Sequence, residues 1–427
     1  MNHDDRGEFF PEALQRRIKD RFLHVDRDAF GRDRLFFENA GGSLRLKAAV
    51  EAFVRIDAMP DSSERIHDAA AHLKQVQIDG TDDLRTMLNA HGGAVYASLT
   101  ASGAMFDMVR AIAENVPGDN LVTTVLEHPS SFDAMSLYAT RLGKELRVAG
   151  SNPVTGGIDV DEIVALVDER TCLLSVIHAS NISGAKIDVA AVVQRARAIK
   201  PDLYIVVDAV QHAPHDLIDL QKTPVDGINI APYKFFGCRG SGFSWLSDRA
   251  ASLPHHRLAA KSADVWNLGS SAPWQFAVVT EIANYVCWLG GHFTDDTDRR
   301  ALFACGMEKI ALHERALLAR LLDGGETVAG LRQMAGVTVF LDHADLTRRD
   351  LILAIAIDRL DPTQAVREYE KGGVIVYERV ASSLYSKRML ESFGIEGAVR
   401  ISPLHCHAPA DVDRFLEVTQ RICETPR

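Results

Sequence analysis

Residues 203–211 read LYIVVDAVQ, an apolar run that stops at Asp208 and is followed by Gln211. With almost nothing polar across 203–207, the run has the character of a strand buried on both faces rather than one. Similar short runs lie at 121–125, 172–177, 228–231 and 243–246. Between them stand amphipathic stretches at 106–114, at 160–167 behind the N-cap Asp159, and at 189–199. This alternation predicts an α/β fold whose mostly parallel central sheet is flanked by helices through right-handed crossovers. Ligands of such sheets bind beyond the carboxyl ends of the strands, where Asp208 stands. A carboxylate emerging there from an apolar strand needs a cationic partner.

The partner candidate comes 26 residues later, in IAPYKFFGCRGSG at 230–242, which holds Lys234 between bulky side chains and ahead of three glycines. Desolvation lowers a lysine from its usual pKa near 10.4 and makes the amine a usable nucleophile. Glycines let backbone amides approach an anion. Singly, the lysine reads as a solvated side chain and the aspartate as a turn former. Together with small polar residues for a phosphate, they form the set that pyridoxal 5′-phosphate (PLP) requires: an acid for the pyridine nitrogen and a lysine for the aldehyde.

The bulk numbers are compatible with this. The chain has 427 residues, 47% of them hydrophobic and 25% charged, enough for a sizeable core. A net charge of −11 with no basic cluster argues against nucleic acid as a partner. No run reaches the ~20 apolar residues of a membrane span, and the start MNHDDRGEFF lacks the features of a signal peptide, so the expected location is cytoplasmic. The six cysteines are scattered singly with no CxxC, and most of them read as buried reduced thiols. His405-Cys406-His407, His212 and His215 lack zinc-ligand spacing, and GCRGSG is neither GxGxxG nor a Walker A loop, so no metal is expected. Beyond a helical stretch at 276–289, strand-like runs at 337–341, 351–355, 374–377 and 398–401 precede a final helix near 410–422. They predict a smaller α+β domain formed by 1–35 and 290–427, beside a large domain at 36–289.

VVDAVQ followed by APYKFFGCRGSG resembles the cofactor region of fold-type I PLP enzymes, specifically the class V aminotransferase superfamily with its cysteine desulfurases, selenocysteine lyases and isopenicillin N epimerases. The resemblance extends from FFENAGG at 36–42 to the final helix. It implies that Lys234 bonds the cofactor and later moves the Cα proton, that Asp208 pairs with the pyridine nitrogen, and that Gln211 hydrogen-bonds the ring hydroxyl. His128, in VLEHP, would stack on the ring; a helix-capping or core histidine is the alternative. Thr100 and the amides from Ala101 onward would hold phosphate at a helix N-terminus, although a plain cap accounts for that stretch too. Asn181 would lie near the ring and the substrate carboxylate, and Arg400 would grip that carboxylate unless it is a surface arginine. Ser270 falls where the family lends a hydroxyl to the neighbouring subunit's phosphate, which implies a homodimer with a shared site.

Two departures matter. Desulfurases attack the substrate sulfur with a loop cysteine, and fifteen residues before Arg400 this chain has Tyr385 instead. A phenol accepts no persulfide, and Cys238, in the glycine loop, is a poor substitute. Before Lys234, relatives place a serine and a histidine as phosphate ligands, where this chain has Ala231 and Tyr233, whose hydroxyl is the remaining donor. The expected function is therefore a PLP-dependent aminotransferase acting at the alpha carbon of an amino acid. The alternatives are a β-eliminating lyase, an epimerase, or a catalytically silent partner protein of the same fold. Tyr385, Arg379, Lys387 and His407 are candidates to face the substrate side chain.

Overall fold

In the computed structural model, which describes residues 6–425, thirteen strands form three sheets. Those up to residue 246 are β1 (Leu35–Phe36), β2 (Ala94–Ser98), β3 (Asn120–Thr124), β4 (Glu145–Ala149), β5 (Thr171–Ile177), β6 (Tyr204–Asp208), β7 (Gly227–Ile230) and β8 (Gly242–Leu246). Then come β9 (Val337–Phe340), β10 (Leu353–Ile357), β11 (Val374–Ile375), β12 (Tyr377–Val380) and β13 (Gly397–Ile401). The central sheet has seven strands in the order β2-β8-β7-β6-β5-β3-β4, and only β8 runs against its neighbours. The expected mostly parallel α/β sheet is therefore present, with each apolar run within about a residue of its strand. Every residue of β3, β5, β7 and β8 is buried, which is why these runs show no alternation.

The second sheet is antiparallel, β12-β13-β10-β9. Here the strand expected at 374–377 divides. Val374 and Ile375 pair in parallel with Leu35 and Phe36, whereas Tyr377–Val380 turns to pair with β13. The strand expected at 351–355 begins two residues later, because the Ile352 N–H is taken by the Asp350 carbonyl at 2.7 Å in a tight turn. The helix expected at 106–114 begins at Ala101, where the Thr100 hydroxyl caps it by accepting from the Gly103 N–H at 3.0 Å.

Long helices bind the two sheets together. Pro273–Gly290 packs between Asp68–Leu88 and Arg299–Asp323, and Gly80 is needed where the first two meet, since a Cβ there would lie 2.5 Å from the Phe276 carbonyl. The N-terminal helix Glu12–Lys19 lies across the seam. Gln15 donates to the carbonyls of His405 and His407, and the following Phe22 ring meets Phe236 at 5.7 Å and Tyr285 at 5.4 Å.

Candidate active site

Five strands of the central sheet deliver a residue each to one cavity of about 590 Å³. Asp208 ends β6, with Gln211 in the turn beyond it; Lys234 follows β7, Asn181 follows β5, His128 follows β3 and Thr100 follows β2. All lie beyond carboxyl ends, as an open parallel sheet arranges its ligands. The opposite wall comes from the second sheet, through Tyr377, Arg379 and Arg400, and from the loop carrying Ser383 and Tyr385. Glu38 and Ala40, just past β1, close the cavity between the two walls.

Burial sets the electrostatics of the inner wall. It pushes the Lys234 amine down to about 7, reinforced by the nearby Arg400 cation, and the amine donates to the Ala40 carbonyl. Burial raises the Asp208 carboxyl to about 6 against the Val210 N–H, which donates to it at 3.1 Å, and against the Lys234 charge. His128 is held down to about 4, by burial first and then by Lys234, Arg379 and Arg388. A neutral imidazole has an acceptor nitrogen, and His128 Nδ1 accepts from the Ser130 N–H at 3.2 Å, capping the helix Pro129–Leu142. His128 therefore caps a helix, as the alternative reading has it, and also lines the cavity. Behind it Glu127 is fully buried and, through burial and the nearby Asp208 carboxylate, raised to about 8, with Oε1 accepting from the Thr124 hydroxyl at 2.8 Å and the Ile177 N–H at 2.6 Å.

The outer wall is cationic. Arg400 is buried, donates to the Asn181 carbonyl at 2.9 Å and forms an ion pair with Glu38. Arg379 is buried beside it and donates to the Tyr385 carbonyl at 2.6 Å; burial, then Arg400, lowers it to about 9. The Tyr385 ring is half exposed, 5.9 Å from His128. The Tyr233 ring lies at the mouth, with the Arg239 guanidinium 4.3 Å from its centre and burial raising its phenol.

The remaining candidates fall elsewhere. Ser270 does not reach this cavity; its hydroxyl donates to Glu64 at 2.9 Å on an exposed loop. Lys387 begins a helix and extends toward Glu391 at 3.9 Å, and His407 is fully buried, its Nδ1 accepting from the Leu404 N–H at 3.0 Å. Neither faces the cavity, because the outer loop turns Lys387 outward and the core takes His407. No cysteine lines it among the described residues, and Cys238 points to the Ala49 carbonyl at 3.8 Å. Sequence reasoning passed over Glu38 and Glu127; the first stood within the quoted FFENAGG and the second directly before His128.

The donor set fits PLP. Gln211 and Asn181 line the cavity, and each keeps a buried side-chain oxygen with no hydrogen-bond partner, Oε1 and Oδ1. Ala101 and Ser102 line it at the N-terminus of a fifteen-residue helix, a place suited to phosphate. A side chain at Gly242 would collide with the Ala101 backbone, so the start of β8 seats this turn closely.

Comparison with known proteins agrees with the geometry. The model of the family "Aminotransferase class-V" matches residues 35–415. A cysteine desulfurase of Cronobacter sakazakii is 29% identical over 221 residues, 50% of this chain and 52% of that protein, so the match spans about half the length of that curated relative. A probable cysteine desulfurase of Xylella fastidiosa is 25% identical over 74% of this chain and 76% of its own. Among solved structures, the cysteine desulfurase CsdA of Escherichia coli superposes with a TM-score of 0.75 at 19% identity, covering 98% of this chain and 99% of that one, a likeness of fold. The chain belongs to the class V aminotransferase family, whose members are PLP-dependent.

Proposed function

We propose that this protein is a PLP-dependent enzyme acting at the alpha carbon of an amino acid, and that it works as an aminotransferase. The observation that carries this reading is the convergence of Lys234, Asp208, His128 and Arg400 on one cavity. Bound PLP supplies an electron sink for the pair released when the Cα proton leaves. Lys234 would bond the cofactor and, with its amine lowered to about 7 by burial, would take that proton and return it. Asp208 would keep the pyridine nitrogen protonated, Gln211 would hydrogen-bond the ring hydroxyl, and His128 would lie against the ring. Thr100 and the turn at Ala101 receive the phosphate, with Tyr233 as a further donor. Arg400 exchanges Glu38 for the substrate carboxylate, beside Asn181, and Tyr385 borders the substrate.

A β-eliminating lyase is the second reading, favoured by the desulfurase relatives. A persulfide route on the chain's own thiol is disfavoured, because Tyr385 stands in the thiol's place and no cysteine lines the cavity among the described residues. We further propose a homodimer in which Ser270 completes the partner subunit's phosphate site, since it lies outside its own cavity on an exposed loop. A cytoplasmic location is supported by cysteines that are all free among the described residues. No helix among those residues is long and apolar enough to cross a membrane. The deciding experiment mixes PLP-loaded protein with amino acids and assays the products. Oxo acid formed with the amino group retained on the protein supports transamination. Ammonia released together with an oxo acid supports elimination, and no product from any amino acid refutes the enzyme reading.

A further inference from the structure

From the charges on the outer wall we infer that the substrate carries a second anionic group, on its side chain, held by Arg379; this rests on the PLP-enzyme reading above. Tyr377 and Arg379 stand two apart on β12, and Arg400 is opposite Tyr377 on β13. The three side chains therefore share one face of the antiparallel sheet, and all three line the cavity. Their charges are answered differently. Arg400 already has a carboxylate, Glu38, which a substrate carboxylate can replace.

Arg379 has no such contact. It is 5% exposed and forms no ion pair among the described residues; Glu38, paired with Arg400, acts on it only from a longer distance. Its hydrogen bond goes to the neutral Tyr385 carbonyl, while its Nε is buried without a partner. Isolating a guanidinium from water without a direct ion-pair partner is costly, and this one lines the cavity. A planar guanidinium suits a carboxylate, and the hydroxyls of Ser383 and Tyr385 border the same space. The substrate class is thus an α-amino acid with an acidic side chain, its α-carboxylate on Arg400 and its second carboxylate on Arg379. The competing role for Arg379 is to anchor the loop through the Tyr385 carbonyl alone.

PLP-loaded protein is titrated with aspartate against asparagine, and glutamate against glutamine, following the change in cofactor absorption on binding. One acid is expected to act at a concentration at least about tenfold lower than its amide, the effect of one charge-assisted contact. Arg379→Gln is expected to bring that ratio near one, and Arg379→Lys to keep part of it. A wild-type protein that treats each acid and its amide alike overturns the inference. So does an Arg379→Gln variant that binds more weakly overall yet keeps the ratio, the result of loop anchoring alone. Protein that takes up no PLP fails earlier, and that outcome sinks the enzyme reading together with this one.

Discussion

The two walls of the cavity carry different kinds of ionisable group. On the inner wall, at the ends of β3, β6 and β7, burial drives ionisable groups toward neutrality: Lys234 to about 7, Asp208 to about 6, Glu127 to about 8 and His128 to about 4. On the outer wall, β12 and β13 hold two buried arginines, and among the described residues only Arg400 forms an ion pair with a carboxylate. The inner wall is suited to moving protons and the outer wall to gripping anions. The difference teaches that, under the proposed function, one site would divide its chemistry between sheets, with proton transfer on the central sheet and recognition on the antiparallel one.

The sharpest break of this contrast is on the inner wall. Asp208→Asn removes the charge that would hold a proton on the pyridine nitrogen, and turnover is expected to fall by about 10³-fold with the cofactor still bound. On the outer wall Arg400→Gln is expected to lower kcat/KM by about 10²-fold, while leaving the absorption of the loaded protein in place. If the two variants have the same spectrum and the same kinetic signature, the division between walls is wrong.

Smaller effects sharpen the inner wall. The Lys234 amine must be neutral to react, so the initial rate of PLP capture should rise about tenfold per pH unit below about 7 and level off above it. Stopped-flow mixing at a series of pH values checks this, and a rise that continues to pH 10 would place the amine in an ordinary solvated environment. Glu127 has a folded-state pKa raised above its unfolded value. Its contribution to stability is complete below the usual carboxylate range and is lost as pH rises through about 8. Glu127→Gln keeps an acceptor for Thr124 and Ile177 but cannot ionise. Its Tm relative to wild type should therefore climb by a few degrees as pH approaches about 8, and a constant offset would contradict the buried-acid assignment.

The inner wall was more legible in the sequence than the outer one, for a physical reason. A strand buried on both faces is written as an uninterrupted apolar run, so the residue that ends it is visible; Asp208 and Lys234 stand out in this way. The outer wall is set by cross-strand register. Arg379 and Arg400 share a face because Tyr377 pairs with Arg400, and that pairing follows from the division of residues 374–380 between two sheets, which periodicity does not encode. Glu38 is further still from its partner in sequence, 362 residues from Arg400, so only the folded chain brings the pair together. His212 and His215 illustrate the converse. Conspicuous in sequence, they are committed to Asp350 at 2.9 Å and Glu314 at 2.7 Å, buried acids near the second sheet.

The most direct test of the central claim, that this cavity holds PLP through Lys234, is the absorption spectrum of the purified protein mixed with PLP and then freed of excess cofactor. The wild type is expected to retain a lysine-bound cofactor band that borohydride reduction fixes irreversibly on Lys234, and Lys234→Ala is expected to show neither. A wild-type protein that retains no band, or one whose band and reduction site persist in Lys234→Ala, would contradict the account.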